Sequence, residues 1–319
     1  MPDLASHPAS VNGLPLVLDT DIGTDIDDVY ALILAAVSPE LDLRAVTVVN
    51  SDVHLRARLA RHILDLLGRR DVLVSMGASL SLTPGERRGW MGHEGLGLSL
   101  PAGPYAEEAS VDAAQRIARC AAESHAAGVP LTVCTIGAMT NLALALRCYP
   151  ETAAHIGQVV AMASDFGGFG PQNARWEHNV ACDPVAVEIV LRSGLLVTLV
   201  GLNVTSQTAM TRQDVDALEA IGGPLAEALV GMHRVWLTAL RSDRSPMHDG
   251  LALSYLLDAT LLPMAPVSPT VHTHGGQSGV IQYDPPQAGA PICQIATSVD
   301  VSRFTQMFQG RIRQAVRNR

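Results

Sequence analysis

The sequence predicts an α/β fold, a single domain whose mostly parallel central sheet carries helices on both faces, in the manner of a Rossmann-like open sheet. Short apolar runs of strand length alternate with longer helical patterns along most of the chain. Polar residues, many of them acidic, recur directly after the strand-like runs, where open parallel sheets bind their ligands. No repeat or linker interrupts the 319 residues, so we expect residues 1–319 to form one domain.

The first half of the chain begins with a strand at residues 14–18 and an almost wholly apolar helix at 29–37, which Ser38 and Pro39 end. A helix with so little polar surface belongs between the sheet and another layer. The pattern then predicts, in order, a strand at 43–49, an amphipathic helix at 54–67, a strand at 72–76, an Ala-rich helix at 111–127 and a strand at 131–135.

The second half continues the alternation up to a closing amphipathic helix. Its predicted elements are a helix at 141–147, a strand at 159–163, a helix at 185–192, a strand at 195–200 and helices at 224–240, 248–257 and 301–317. Two segments, near 77–105 and 164–179, are long and without periodicity. Long loops inside a compact domain are usually functional, so we expect both to flank the active site.

Composition excludes several classes of function. The net charge of −9 provides no electrostatic attraction for nucleic acid or a membrane surface, and we expect neither partner. All 22 basic residues are arginine, which excludes a catalytic Schiff-base lysine and a phosphate-clamping lysine. The five cysteines are widely spaced and form no CxxC motif, as expected of reduced thiols. The polar amino terminus and short apolar runs favour a cytoplasmic protein.

The stretch between the first strand and the first helix is strongly acidic. It places five carboxylates within ten residues, together with one glycine and no basic residue. Carboxylates this close repel one another unless they are protonated or share a cation, and divalent cations such as Ca²⁺ prefer oxygen ligands. The start of a helix also favours negative charge. We therefore expect a hard-metal site at the mouth of the sheet, within the stretch that carries Asp19, Asp21, Asp25, Asp27 and Asp28.

Polar groups recur in similar positions along the rest of the chain. They are Asp52 after the second strand, the run from Thr135 to Asn141, the run from Glu177 to Asn179, and the pair His248 and Asp249. Residues at the carboxyl ends of parallel strands converge on one crevice. We therefore expect acids from distant parts of the chain to meet there with a histidine.

These motifs resemble those of the inosine-uridine preferring nucleoside hydrolases, a family of calcium-dependent N-ribohydrolases. The resemblance covers nearly the whole chain in the family's order. It implies the nucleoside hydrolase fold, hydrolysis of the N-glycosidic bond of ribonucleosides, a small-molecule nucleoside as the partner, and a homo-oligomer, either a dimer or a tetramer. The matching segments are Asp19-x-Asp21-x-Gly23 with Asp27-Asp28, Gly137-Ala-Met-Thr-Asn141, Glu177-His-Asn179 with Asp183-Pro184, Gly201-Leu-Asn-Val-Thr205, and His248-Asp249-Gly-Leu-Ala.

The resemblance also implies roles for individual residues. Calcium would be bound by the side chains of Asp21, Asp28 and Asp249 and by the backbone carbonyl of Ile136. Asp21 would also be the general base for the attacking water. The other implied roles are a hydrogen bond from a ribose hydroxyl to Asp27, binding of the sugar by Glu177 and Asn179, and protonation of the departing base by His248.

The sequence departs from the family pattern at several positions. Thr24-Asp25-Ile26 lengthens residues 21–26, which we call the acid loop, so Asp25 could replace Asp27 as a contact of metal or sugar. We favour Asp27, which directly precedes the helix. Asp52 stands where many members have asparagine, and Gln172 or Asn173 can stand in for an asparagine before the glutamate. The run from Met91 to Gly97 resembles a family loop and makes His93 a further substrate contact. The nucleobase preference is not predicted.

Two other functions fit part of the sequence. The segment Asp19-Thr-Asp21-Ile-Gly-Thr24 resembles the nucleophile motif of haloacid-dehalogenase-like phosphohydrolases, but that family clamps phosphate with a lysine and this chain has none. A sugar- or nucleoside-binding protein of the same fold without turnover is the other alternative. Retention of Asp21 and His248 favours an enzyme over that alternative.

Overall fold

The computed structural model describes residues 13–83, 85, 92–101, 112–167 and 175–319. Within these residues the chain alternates strands and helices, as the apolar pattern predicts. The strands are β1 (Leu14–Thr20), β2 (Leu41–Val48), β3 (Leu73–Met76), β4 (Leu131–Thr135), β5 (Ile156–Met162), β6 (Val197–Val200), β7 (Ala209–Thr211), β8 (Arg244–Pro246), β9 (Met264–His272), β10 (Val280–Asp284) and β11 (Cys293–Ala296).

Nine of these strands form the main sheet, and β7 and β8 form a separate pair. The helices cover both faces of the main sheet. They are α1 (Asp27–Val37), α2 (Val53–Leu66), α3 (Ala113–Ala126), α4 (Thr140–Cys148), α5 (Thr152–His155), α6 (His178–Cys182), α7 (Pro184–Leu191), α8 (Leu202–Thr205), α9 (Arg212–Glu219), α10 (Pro224–Leu240), α11 (His248–Ser254) and α12 (Val301–Arg317). None of the helices in these described ranges is long and apolar enough to cross a membrane.

The main sheet has nine strands in the order β10-β9-β11-β6-β5-β4-β1-β2-β3. From β11 to β3 every neighbouring pair is parallel, and β9 is antiparallel to both of its neighbours. The sheet is therefore mostly parallel and confirms the predicted fold class. The chain order reverses between β1 and β4, and such a reversal opens a crevice at the carboxyl ends of the two strands.

The core lies on both faces of the sheet. Leu16 and Leu18 of β1 belong to one buried cluster and Val17 belongs to the other, since successive side chains of a strand point to opposite faces. Residues of α1, α2, α10, α11 and α12 fill the first cluster, and residues of α3, α4 and α7 fill the second. The nearly all-buried α1 lies between the sheet and α12, as its composition predicts, and the buried α11 lies beside α1 and contacts β5 and β6.

The segment between α11 and α12 differs from the sequence pattern. The apolar pattern predicts no element there, whereas the structure has β9, β10 and β11 in this segment. Pro266 and Pro269 lie within β9 and interrupt its strand pattern, because proline lacks the N–H that a ladder uses. The strands nevertheless form at the end of the sheet, where β9 and β10 pair antiparallel.

Candidate active site

A cavity of about 270 Å³ opens at the carboxyl ends of β1, β4 and β5, at the reversal of the strand order. This is slightly below the usual size of small-molecule sites, roughly 300–1,000 Å³. Five aspartates line the cavity: Asp21, Asp25, Asp27, Asp28 and Asp249. The other lining residues are Thr24, Ile136, Met162, Trp176, Glu177, His178, Asn179, Leu202, Trp236 and His248.

Three of the acids form a compact group that can hold a metal ion. One carboxylate oxygen from each of Asp27, Asp28 and Asp249 lies within 4.8 Å of the others, and all three residues are buried. Asp27 and Asp28 occupy the first turn of α1, and Asp249 occupies that of α11, where the N–H groups of a helix favour negative charge. The backbone N–H of Asp249 donates to Asp27 Oδ2 at 3.2 Å and joins the two helix starts.

The environment of this group strongly disfavours three ionised carboxylates that have no cation between them. Burial raises the pKa of Asp27 to about 7. Burial, followed by the charges of Asp21 and Asp27, raises the pKa of Asp28 well above its usual range. Burial and the neighbouring acids raise the pKa of Asp249 in the same way. A divalent cation would offset both effects, so the donor set fits a hard metal ion.

Asp21 follows β1 directly, and its charge contributes to the raised pKa values of all three grouped acids. A Cβ added to Gly137 would be 2.8 Å from both the backbone nitrogen and Oδ1 of Asp21, so only glycine allows the loop after β4 to approach this closely. The same loop places Ile136 in the cavity wall, and the Ile136 N–H donates to Asp19 O at 2.7 Å. The predicted carbonyl ligand therefore lies beside the acid loop.

Glu177 and Asn179 line the same cavity from the start of α6. The Glu177 carboxylate caps α6 and accepts the N–H groups of Asn179 at 2.7 Å and Val180 at 3.0 Å, together with that of Ser164 at 2.9 Å. Burial raises the pKa of Glu177, and these backbone donors oppose the rise. The Asn179 amide donates to the carbonyls of Ile136 and Met162, both at 3.0 Å, which ties α6 to the ends of β4 and β5.

His248 lies in the same cavity at the start of α11. Its Nδ1 is 2.7 Å from the hydroxyl of Thr205, the last residue of the predicted Gly201–Thr205 motif. Burial lowers the pKa of His248 to about 4, so the ring is neutral near pH 7. A neutral ring whose Nδ1 accepts from Thr205 carries its proton on Nε2.

The structure brings together eight of the predicted site residues and also Asp25 in this one cavity. The eight are Asp21, Asp27, Asp28, Ile136, Glu177, Asn179, His248 and Asp249.

Other predicted site residues lie elsewhere. Asp52 is exposed and caps α2 by accepting the Leu55 N–H at 3.0 Å. His93 lies in a smaller neighbouring cavity, where its Nε2 is 2.7 Å from the Thr24 carbonyl and its ring centroid is 5.3 Å from that of Trp236. Asn173 and its alternative Gln172 lie outside the described residues.

His178 and Trp236 are two of the six lining residues that were not predicted as site residues. His178 lines the cavity with its Nε2 3.8 Å from Asp21 Oδ2. Its place between Glu177 and Asn179, inside a predicted motif, was a usable signal in the sequence. Trp236 reaches the cavity from α10, and its helical spacing is indistinguishable from that of a core residue.

Comparisons with known proteins show which family the chain resembles over most of its length. Residues 16–306 match the family described as inosine-uridine preferring nucleoside hydrolase. The pyrimidine-specific ribonucleoside hydrolase RihA of Salmonella newport (strain SL254) is 30% identical over 311 residues, covering 94% of this chain and 98% of that protein. RihA of Escherichia coli O81 (strain ED1a) is 30% identical over 313 residues, with the same two coverages.

Solved structures agree as well. The purine-preferring ribonucleoside hydrolase from Gardnerella vaginalis superposes with a TM-score of 0.84 at 30% identity and covers 96% of this chain and 100% of that chain. A plant nucleoside hydrolase, PpNRh1, superposes with a TM-score of 0.81 at 27% identity and covers 94% and 98% of the two chains. On this sequence match, fold and site, the chain belongs to the inosine-uridine preferring nucleoside hydrolase family.

Proposed function

We propose that this nucleoside hydrolase releases ribose and a free nucleobase from ribonucleosides by water attack at C1′, with Ca²⁺ as its resident cation. The observation that carries the proposal is the buried group of Asp27, Asp28 and Asp249 beside Asp21, in a cavity at the reversal of the strand order. Carboxylates in such a group need a partner of opposite charge, and the all-oxygen donor set suits Ca²⁺.

The residues that would hold the cation are Asp21, Asp28, Asp249 and the Ile136 carbonyl, with Asp25 as an alternative acid in the same cavity. The Ile136 oxygen already accepts the Asn179 amide, but a carbonyl has a second lone pair for a cation. Ca²⁺ accepts six to eight oxygens, so water and ribose hydroxyls would complete the set. Bound there, the cation would lower the pKa of a water and orient the ribose.

The side chains would divide the chemistry among them. Asp21 takes the proton of the attacking water, and Asp27 accepts a hydrogen bond from a ribose hydroxyl. Glu177 and Asn179 hold the sugar, and the negative charge of Glu177 favours an oxocarbenium-like transition state. His248 is neutral at rest, so we propose that it donates its ring N–H to the base as that base departs with growing negative charge.

The experiment is a measurement of reducing-sugar release from inosine, adenosine, guanosine, uridine and cytidine, with chelator and with added Ca²⁺. We expect release from at least one nucleoside, its loss with chelator and its return with Ca²⁺. The names of the relatives include both pyrimidine-specific and purine-preferring enzymes, so the panel also measures the base preference of this chain. No release from any nucleoside, with Ca²⁺ still bound, would instead support a nucleoside-binding protein without turnover.

The family resemblance also supports a homo-oligomer, a dimer or a tetramer. Light scattering of the purified chain would give its mass in solution. A mass equal to the 33.7 kDa of one chain would contradict this part of the proposal.

A further inference from the structure

A buried arginine lies directly behind the acid loop, residues 21–26. Arg56 belongs to α2 and is 0% exposed. Arginine is almost never fully buried unless its charge is paired or hydrogen-bonded. Arg56 does not line the cavity. Its position is therefore explained by the loop that it contacts.

The Arg56 guanidinium donates to three residues of the loop and to one residue after β2. Nη1 donates to the backbone carbonyls of Asp21 and Ile22, the latter at 2.9 Å. Nη2 donates to Thr24 Oγ1 at 3.2 Å, and Nε donates to the carbonyl of Asn50, just after β2, at 2.8 Å. One side chain thus links three residues of the acid loop to the end of the neighbouring strand.

The loop lies closely against α2. A Cβ added to Gly23, whose φ is +114°, would be 2.5 Å from a methyl group of Leu59, so only glycine fits between the loop and the helix. The other side of the loop is also held. Thr24 Oγ1 donates to Glu94 Oε1 at 3.2 Å, and His93 Nε2 is 2.7 Å from the Thr24 carbonyl. Hydrogen bonds with Arg56 and with residues 93–94 therefore hold Thr24 on two sides.

These contacts decide which groups of the loop face the cavity. The carbonyls of Asp21 and Ile22 are turned toward Arg56, while the side chain of Asp21 lines the cavity. Thr24 belongs to the stretch that lengthens this loop relative to the family spacing. A longer loop has more backbone freedom to lose, so it gains more from an internal support.

We propose that Arg56 is a positioning residue that fixes the backbone of residues 21–24 and so presents the acid loop to the cation. This rests on the proposed function, because the cation is part of it. Arg56 acts through the shape of its planar fork, since its acceptors extend from Asn50 to Thr24 and a single ammonium group cannot reach them all. The carboxylates then meet the cation without first having to order the loop.

The test compares R56Q and R56K with the wild-type chain by calorimetric titration of Ca²⁺ into the chelator-treated protein, well below the lowest melting temperature. R116Q is the matched control, because Arg116 is also a buried arginine (9% exposed) but lies on α3 and donates to Ser75 on β3. We expect both Arg56 variants to raise the Kd for Ca²⁺ by about tenfold or more, as loss of an outer contact of a metal site does. We expect R116Q to keep the wild-type Kd even if its melting temperature falls.

R56K separates the shape of the side chain from its charge, because lysine keeps the positive charge but lacks the planar guanidinium group of arginine. A wild-type Kd in R56Q or in R56K would overturn the proposal, and so would an equal loss of affinity in R116Q. A wild-type chain that binds no Ca²⁺ would overturn the metal part of the proposed function as well. Circular dichroism of each variant shows whether it is folded, and R56K keeps the test valid if R56Q does not fold.

Discussion

A buried carboxylate needs either a proton or a positive partner, and Asp27, Asp28 and Asp249 are buried within reach of one another. Burial alone raises the pKa of such groups, and each ionised neighbour raises it further. Protonation would relieve the repulsion but would leave neutral acids that bind a cation poorly. Each of these carboxylates is therefore either protonated or bound to a cation, and single substitutions can measure how much each one contributes to cation binding.

Asp249→Asn removes one negative charge and keeps the size of the side chain. We expect the Kd for Ca²⁺ to rise by at least about tenfold, because an amide oxygen is a weaker ligand for a hard cation than a carboxylate. Calorimetric titration measures this directly. Asp300→Asn is the control, since Asp300 is exposed and caps α12, and asparagine caps equally well. Unchanged Ca²⁺ affinity and activity in Asp249→Asn would contradict the metal assignment.

Asp21→Ala removes the proposed general base at the end of β1. We expect the rate of ribose release to fall by about 10²–10⁴-fold, the usual contribution of a positioned base. Kinetics at Ca²⁺ concentrations that saturate the variant separate loss of the base from loss of the cation. A variant that still turned over nucleosides at close to the wild-type rate would show that Asp21 is not the base.

His248→Gln tests the proposed contact with the departing base. We expect it to slow hydrolysis of ordinary nucleosides far more than hydrolysis of nitrophenyl riboside, whose leaving group needs no proton. The measurement is the ratio of kcat/KM for the two substrates in the variant and in the wild-type chain. Equal losses on both substrates would mean that His248 positions the sugar or supports the fold instead.

At the scale of elements, prediction from the sequence succeeds where capping signals and apolar period agree. The ranges of α10 and α12 are predicted to the residue, since Pro224 begins one and Asp300 caps the other. β1 continues two residues beyond its predicted end, to Thr20, because its ladders to β2 and β4 extend through the polar Asp19. β9 is missed because its prolines hide the strand pattern. α9 is also missed, although Thr211 and Asp214 form a capping box there.

A buried polar contact joins α1 to α10 behind the site. The Tyr30 hydroxyl is 2.9 Å from His233 Nδ1, both residues are 0% exposed, and His233 Nε2 has no hydrogen-bond partner among the described residues. Burial lowers the pKa of His233 from 6.5 to about 4. The unfolded chain therefore binds this proton more readily than the folded chain between those two pH values, and the stability of the fold declines as the pH falls through that window.

His233→Gln removes this titration. We expect the wild-type free energy of unfolding to lose up to about 3 kcal/mol more than that of the variant between pH 7 and pH 4, from a pKa difference of about 2.5 units (6.5 to about 4). Urea unfolding at both pH values measures the difference. His125→Gln, at an exposed histidine, is the control and should keep the wild-type pH dependence. A wild-type pH dependence in His233→Gln would contradict the role of this burial.

At the scale of the whole molecule, strand order brings the site together. Sequence motifs predicted the residues that follow β1 and β4 and those that begin α6 and α11, because their convergence follows from a parallel sheet. Contacts that depend on how distant helices pack could not be predicted in this way. Trp236 and Arg56 belong to α10 and α2, and each has the sequence context of an ordinary helix residue. Asp52 follows β2 as predicted, but it caps α2 and faces solvent.

Because the proposed cation site joins the starts of α1 and α11, its occupancy should stabilise the whole fold. A ligand at 100 times its Kd contributes about 2.7 kcal/mol, so Ca²⁺ at pH 7.5 should raise the melting temperature by a few degrees over the chelator-treated chain. Burial raises the pKa of Asp27 from 3.8 to about 7, so in the metal-free protein the folded state binds protons more tightly than the unfolded state within that window.

Lowering the pH through 7 therefore adds a stabilising contribution from Asp27 to the metal-free chain and, at the same time, places protons in competition with Ca²⁺. The gain in melting temperature on adding Ca²⁺ should be largest above pH 7 and should shrink toward pH 5. Differential scanning fluorimetry across this range, on the wild-type chain and Asp249→Asn, measures the effect. A gain that is equal at both ends of the range, or equal in the two proteins, would mean that Ca²⁺ stabilises the chain at some place other than these carboxylates.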